Sequence, residues 1–145
     1  MTILNILRPL RERKGTVRTV GLDDASLLEL ARQFPDLLVA AQRAADSFPA
    51  IAAEFAELAD ADEQAQIDAT QSAFINFYPD DAINPYVAIA ACGPWVVTLK
   101  GRVLHDSGGY GMLGFGHTPD AVINTMSKPQ VMANIMSPSF SQLRV

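Results

Sequence analysis

Gly93-Pro94-Trp95-Val96-Val97-Thr98-Leu99-Lys100-Gly101-Arg102-Val103-Leu104-His105-Asp106, continued by Ser107-Gly108-Gly109-Tyr110-Gly111-Met112-Leu113-Gly114-Phe115-Gly116-His117-Thr118-Pro119, decides how the chain is read. Trp95–Leu99 and Arg102–Asp106 are short β-branched and aromatic runs about a Lys100-Gly101 turn, which predicts an antiparallel hairpin. Five of the nine glycines then crowd between Gly108 and Gly116. Such clustering predicts backbone at positive φ, at Gly109, Gly111 or Gly114, or backbone pressed against something a side chain would block. Gly109, Gly111 and Gly114 formally match a dinucleotide loop, but the acidic ribose partner expected about 20 residues on is missing. A P-loop is excluded because no Gly-Lys-Ser/Thr follows. Thr118-Pro119-Asp120 opens a helix after the glycines.

The order of these features resembles the N-terminal small-domain segment of the class III pyridoxal-phosphate aminotransferases, the family that acts on ornithine, acetylornithine, 4-aminobutyrate and lysine. Those proteins carry a strand with an aromatic residue, an Asp-Gly-type turn, a second strand ending in Asp, a Gly-rich crossing and Leu-Gly-His-x-x-Pro. Here Lys100-Gly101 stands at the turn, Asp106 at the strand end, and Gly114-Phe115-Gly116-His117-Thr118-Pro119 at the last element. The resemblance spans residues 93–122. It implies a segment of a fold-type-I enzyme, whose cofactor pyridoxal phosphate and catalytic lysine belong to a large domain absent from these 145 residues. The parent would move an amino group between an amine or amino acid and a 2-oxo acid, as a dimer. None of Lys14, Lys100 and Lys128 matches the lysine such chemistry needs, so the chain alone is expected to hold no cofactor and to be inactive.

In relatives the crossing lies over the active site, which makes Gly109, Tyr110, Gly111 and Met112 the candidate substrate contacts. Tyr110 offers a hydroxyl donor and a flat apolar wall; packing of Tyr110 and Met112 on the sheet is equally open. Asp106 and His117 are either a proton-transfer pair or, the reading preferred, a turn carboxylate and a histidine that positions the loop. Two histidines and one cysteine do not make a metal-ligand set.

Upstream, residues 22–81 are acidic and helical in pattern. Asp23 or Asp24 caps a helix that reaches Phe34 and stops at Pro35; Asp36 caps a second, from Leu37 to about Ala45. Pro49 starts a third, with Ile51, Ala52, Phe55 and Leu58 on one face, and a fourth runs from Asp62 to Phe77. Residues 1–21 form a basic arm, Arg8, Arg11, Arg13, Lys14 and Arg18 against Glu12. This arm lacks the interleaved aromatics of a nucleic-acid surface and is expected to pack on acidic groups of this chain or of a second copy. Tyr78-Pro79-Asp80-Asp81 marks a boundary, after which residues 82–145 form the aminotransferase-like segment, truncated in aspect because Ser137 to Val145 reads as a loop and a helix start.

The reading is therefore α+β: a helical N-terminal region, then a β-hairpin, a Gly-rich crossing and a helix. A composition of 49% hydrophobic and 19% charged residues is that of a globular chain, and no apolar run approaches the roughly 18 residues of a membrane span. The lone Cys92, a nucleophile or a small core residue, and the lack of a secretory leader pattern suit the cytoplasm. The alternative from another class is a free-standing acidic helical module that binds a protein partner without catalysis.

Overall fold

The computed structural model describes residues 2–72, 85–107 and 114–127. Among these residues, five helices are followed by a three-stranded antiparallel sheet and a sixth helix, in the order α1 (Ile3–Arg11), α2 (Asp24–Gln33), α3 (Pro35–Glu54), α4 (Ala56–Asp60), α5 (Glu63–Gln71), β1 (Ala88–Cys92), β2 (Trp95–Thr98), β3 (Val103–His105) and α6 (Asp120–Met126). The α+β class follows directly. The sheet order is β1-β2-β3.

The expected hairpin is β2–β3, with Trp95 opposite His105 and Val97 opposite Val103. It gains β1 as a third strand, with Cys92 opposite Trp95 and Ala91 opposite Val96. β1 is Ala-Ile-Ala-Ala-Cys, a composition with weak strand propensity. Its conformation comes from pairing with β2 and from α3 lying across it, not from its own residues.

β2 is buried at all four positions. Trp95, Val97, Leu99 and Val103 join one core with Leu27 of α2 and with Leu37, Ala40, Ala41, Ala44 and Phe48 of α3. Ile3, Ile6, Leu7 and Leu10 of α1 complete it. Their i, i+3, i+4, i+7 spacing is that of one helix face. The basic N-terminal stretch thus begins with a core helix, capped by Thr2, whose Oγ1 accepts from the Asn5 N–H at 3.4 Å.

α2 matches its expected start, with Asp23 Oδ1 accepting from the Ser26 N–H at 2.9 Å. α3 does not match. The second helix and the first turn of the third are one helix of 20 residues with Pro49 inside it. Proline removes one backbone bond there, but the apolar stripe Leu37, Ala40, Ala41, Ala44, Phe48, Ile51, Ala52 passes the proline without a phase break. Packing of that continuous face on α1 and the sheet offsets the lost bond. Pro35, read as the stop of α2, also occupies the first position of α3, where a missing N–H costs nothing. Phe55 lies between α3 and α4 and is exposed rather than part of the inward stripe.

α5 buries a polar face: Glu63, Gln66 and Ile67 are buried, while Ala65 and Ala69 are exposed. The reason is residues 13–19, strapped across it. Glu63 Oε2 accepts the Arg18 and Thr19 N–H groups at 2.5 and 2.7 Å. Asp62 Oδ1 accepts the Thr16 N–H at 2.7 Å, and Arg13 pairs with Asp60 at 2.7 Å. The acidic partner of the basic stretch is therefore this same chain.

Lys100 closes the strap. Its ammonium donates to the Lys14 carbonyl at 2.5 Å and, more loosely, to that of Ala59 at 3.4 Å, and the residue is 2% exposed. Burial pushes the Lys100 pKa down, partly countered by Asp60, Asp62 and Glu63. The unfolded chain then holds this proton more tightly than the folded one. Stability therefore rises with pH between the folded pKa and the ordinary value of 10.5. Burial raises the pKa values of Cys92 and Tyr86, which act in the opposite direction at alkaline pH. The expected result is a difference: urea midpoints followed from pH 7 to 10.5 should gain less with pH in Lys100→Met than in the wild type. Parallel curves would remove Lys100 from the alkaline stability.

Candidate functional site: the mouth of the glycine crossing

The ends of the glycine-rich segment are described; its centre is not. Gly109, Tyr110, Gly111 and Met112, the candidate substrate contacts, lie outside the described residues. What the structure describes is the two ends of the segment, Asp106-Ser107 and Gly114–His117.

On one side, β3 delivers Asp106, whose N–H donates to the Pro94 carbonyl at 2.7 Å. On the other, His117 returns to the sheet. Its N–H donates to the Gly93 carbonyl at 2.8 Å and the Gly93 N–H donates back at 3.2 Å, an antiparallel bridge. The side chains then meet, His117 Nε2 lying 2.8 Å from Asp106 Oδ2. Two residues 11 apart in sequence, one at each end of the crossing, are thus joined by their side chains and anchored by their backbones to the adjacent Pro94 and Gly93. The contact fastens the two ends of the crossing to each other, and an Asp–His pair of this geometry serves either a positioning or a proton-transfer role.

Close approach explains one of the glycines and backbone conformation another. Gly116 has φ +71°, and a Cβ there would sit 2.8 Å from Gly93 Cα. Gly114 has φ +66° but open space around the Cβ position. The positive φ expected at Gly114 is present, while Gly109 and Gly111 fall outside the described residues.

A cavity of about 360 Å³ opens between the Gly93-Pro94 turn, Asp106-Ser107 and the Gly114–His117 return. Phe115 stands at its rim, 65% exposed. His105, at the end of β3, takes no part; it packs edge-on against Trp95 at 4.9 Å between ring centres. Cys92 is half-buried against the core, and burial raises its thiol pKa, which lowers its nucleophilic fraction at neutral pH.

Among the described residues, no lysine lines this cavity. Lys100 sits at the opposite end of the β2–β3 hairpin from Asp106, roughly 13 Å away for four residues of strand, and its amine is engaged with carbonyls. Lys14 is exposed in the strap, and Lys128 lies outside the described residues. Among the described residues, no three His, Cys, Asp or Glu side chains gather to hold a metal ion, and no helix is long and apolar enough to cross a membrane.

Two residues of this frame escape sequence reasoning. Thr118 has φ +47°, the one non-glycine residue at positive φ among the described residues, and Arg43 reaches it from α3 at 2.8 Å. Arg43 is one of only two basic residues between positions 22 and 81, a signal that something acidic or carbonyl-rich faces it, though not where. Comparison with family models, characterised proteins and solved structures finds no match to this chain.

Proposed function

We propose that this chain is the N-terminal, small-domain segment of a pyridoxal-phosphate-dependent aminotransferase of class III type, and that its glycine crossing forms one wall of the substrate site. The observation that carries this reading is the contact between Asp106 and His117 at 2.8 Å. These are the residues at which the family-like pattern opens and closes the crossing, and they meet over the Gly93 turn. A fixed frame around a glycine-rich loop suits a wall that a small substrate must approach closely.

The shared core supports this over a separate interaction module. Leu27, Leu37, Ala40 and Ala44 of the acidic zone pack with Trp95, Val97 and Val103 of the sheet, so the helices carry the sheet. In this reading the described residues bind and orient, exclude water with Phe115 and Pro94, and leave cofactor attachment to a lysine outside them. When bound, the cofactor supplies the electron sink for amino transfer. The substrate is a small amine or amino acid, and a homodimer is part of the same proposal.

The test is to express the whole reading frame that contains these residues, trap the cofactor with borohydride, and map the labelled peptide. The label is expected on a lysine other than Lys14, Lys100 and Lys128. Stoichiometric label at Lys14, Lys100 or Lys128 would contradict the reading.

A further inference from the structure

Arg43 leaves the helical layer and ends among three groups from two other parts of the fold. Its NH1 donates to Thr118 Oγ1 at 2.8 Å and, at the long limit, to the Ala91 carbonyl at 3.4 Å; its NH2 donates to Asp120 Oδ1 at 3.1 Å. Thr118 Oγ1 in turn donates to the same Ala91 carbonyl at 2.5 Å. One guanidinium therefore ties α3 to Ala91 near the end of β1 and to the residue that follows His117.

We propose that Arg43 is a positioning residue, through which the helical layer fixes Thr118 and, with it, the His117 end of the glycine crossing. Thr118 shows why such a residue is needed. At φ +47° a side chain with a branched Cβ is strained, and strain of this kind persists only where neighbours over-determine the conformation. Proline at 119 also disfavours helical backbone at 118. The neighbours that hold Thr118 are its own hydroxyl on Ala91 and the Arg43 fork on that hydroxyl. The Asp120 arm contributes less, because that carboxylate is 75% exposed and solvent screens the pair. Arginine is suited to the place because a planar fork serves several acceptors at once, which a lysine point charge does not.

This gives α3 a part in the site and not only in the core. Its catalytic meaning rests on the functional reading above, but the clamp itself is measurable in the chain without any activity. The experiment is amide hydrogen exchange on the full chain, comparing the wild type with Arg43→Ala, Arg43→Lys and Asp120→Asn. The reporters are the Gly93 and His117 amides, which bond to each other's residues, with Val97 and Val103 as core references. Losing a charge-assisted bond to Thr118 should speed exchange at Gly93 and His117 by about tenfold or more in Arg43→Ala, with the core references unchanged. Arg43→Lys should recover only part of the protection, and Asp120→Asn should stay near the wild type. Unchanged exchange at Gly93 and His117 in Arg43→Ala would overturn the proposal. So would a rise shared equally by Val97 and Val103, because that is a loss of global stability alone. Either result would leave the aminotransferase reading standing, and cofactor trapping would decide that separately.

Discussion

Leu7→Ala is expected to destabilise the protein by about 2–5 kcal/mol, the range for truncating a leucine in a packed core. Leu7 is fully buried, with Leu10 and Ile3 beside it on the same face of α1. The net stability of a domain is only about 5–15 kcal/mol, so this one change removes a large share of it. Val20→Ala is the control. Val20 follows the same basic stretch but is 83% exposed, and a surface truncation away from special features stays within about 0.5 kcal/mol. Urea unfolding measures both. If Leu7→Ala behaved like Val20→Ala, α1 would be an appended arm and not a core element.

The second large effect lies at the mouth of the crossing. Gly116→Ala adds a Cβ 2.8 Å from Gly93 Cα in backbone already at φ +71°. Left-handed backbone costs a non-glycine residue about 1–2 kcal/mol, and forcing atoms into a packed contact adds about 1–3 kcal/mol. Gly114→Ala carries only the first of these, since nothing lies within 4 Å of its Cβ position. For a chain of this size each kcal/mol lowers Tm by about 2–4 °C. Gly116→Ala should therefore melt about 4–20 °C below the wild type, and clearly below Gly114→Ala. Equal melting temperatures would mean that Gly116 and Gly93 do not pack as described.

Much of the fold was legible where a local rule acts alone. Asp23 caps α2 because its carboxylate satisfies an end amide, and the strands on either side of Lys100-Gly101 carry the β-branched Val96, Val97, Thr98 and Val103, which favour a pleated, paired backbone. Where two rules compete, the reading went astray. Pro49 outweighed the unbroken stripe on both sides of it, although the stripe's phase was the better guide. Arginines at 8 and 11 drew attention away from Ile3, Ile6, Leu7 and Leu10. β1 was illegible because alanine does not ask for a strand; only the neighbouring Val96 and Val97 impose one. The polar burial of Glu63, Gln66 and Lys100 depends on a strap from residues 13–19, a contact between segments more than 40 positions apart.

The site divides in the same manner. Asp106 and His117 stood out as a pair because each ends a recognisable element, and they lie 2.8 Å apart. Arg43 and Thr118 did not, because α3 had to be placed over β1 before a guanidinium at position 43 could be seen to reach position 118. For Gly109, Tyr110, Gly111 and Met112 the sequence remains the only guide, as they fall outside the described residues.

That these residues frame the substrate wall of an amino-transferring enzyme is our proposal. Its most direct test is amino transfer by the product of the whole reading frame, supplied with pyridoxal phosphate, a panel of small amines and amino acids, and a 2-oxo acid. The expected result is cofactor-dependent formation of the new amino acid, with the donor's oxo product in equal amount. A folded product that neither retains the cofactor nor transfers an amino group to any acceptor would contradict it.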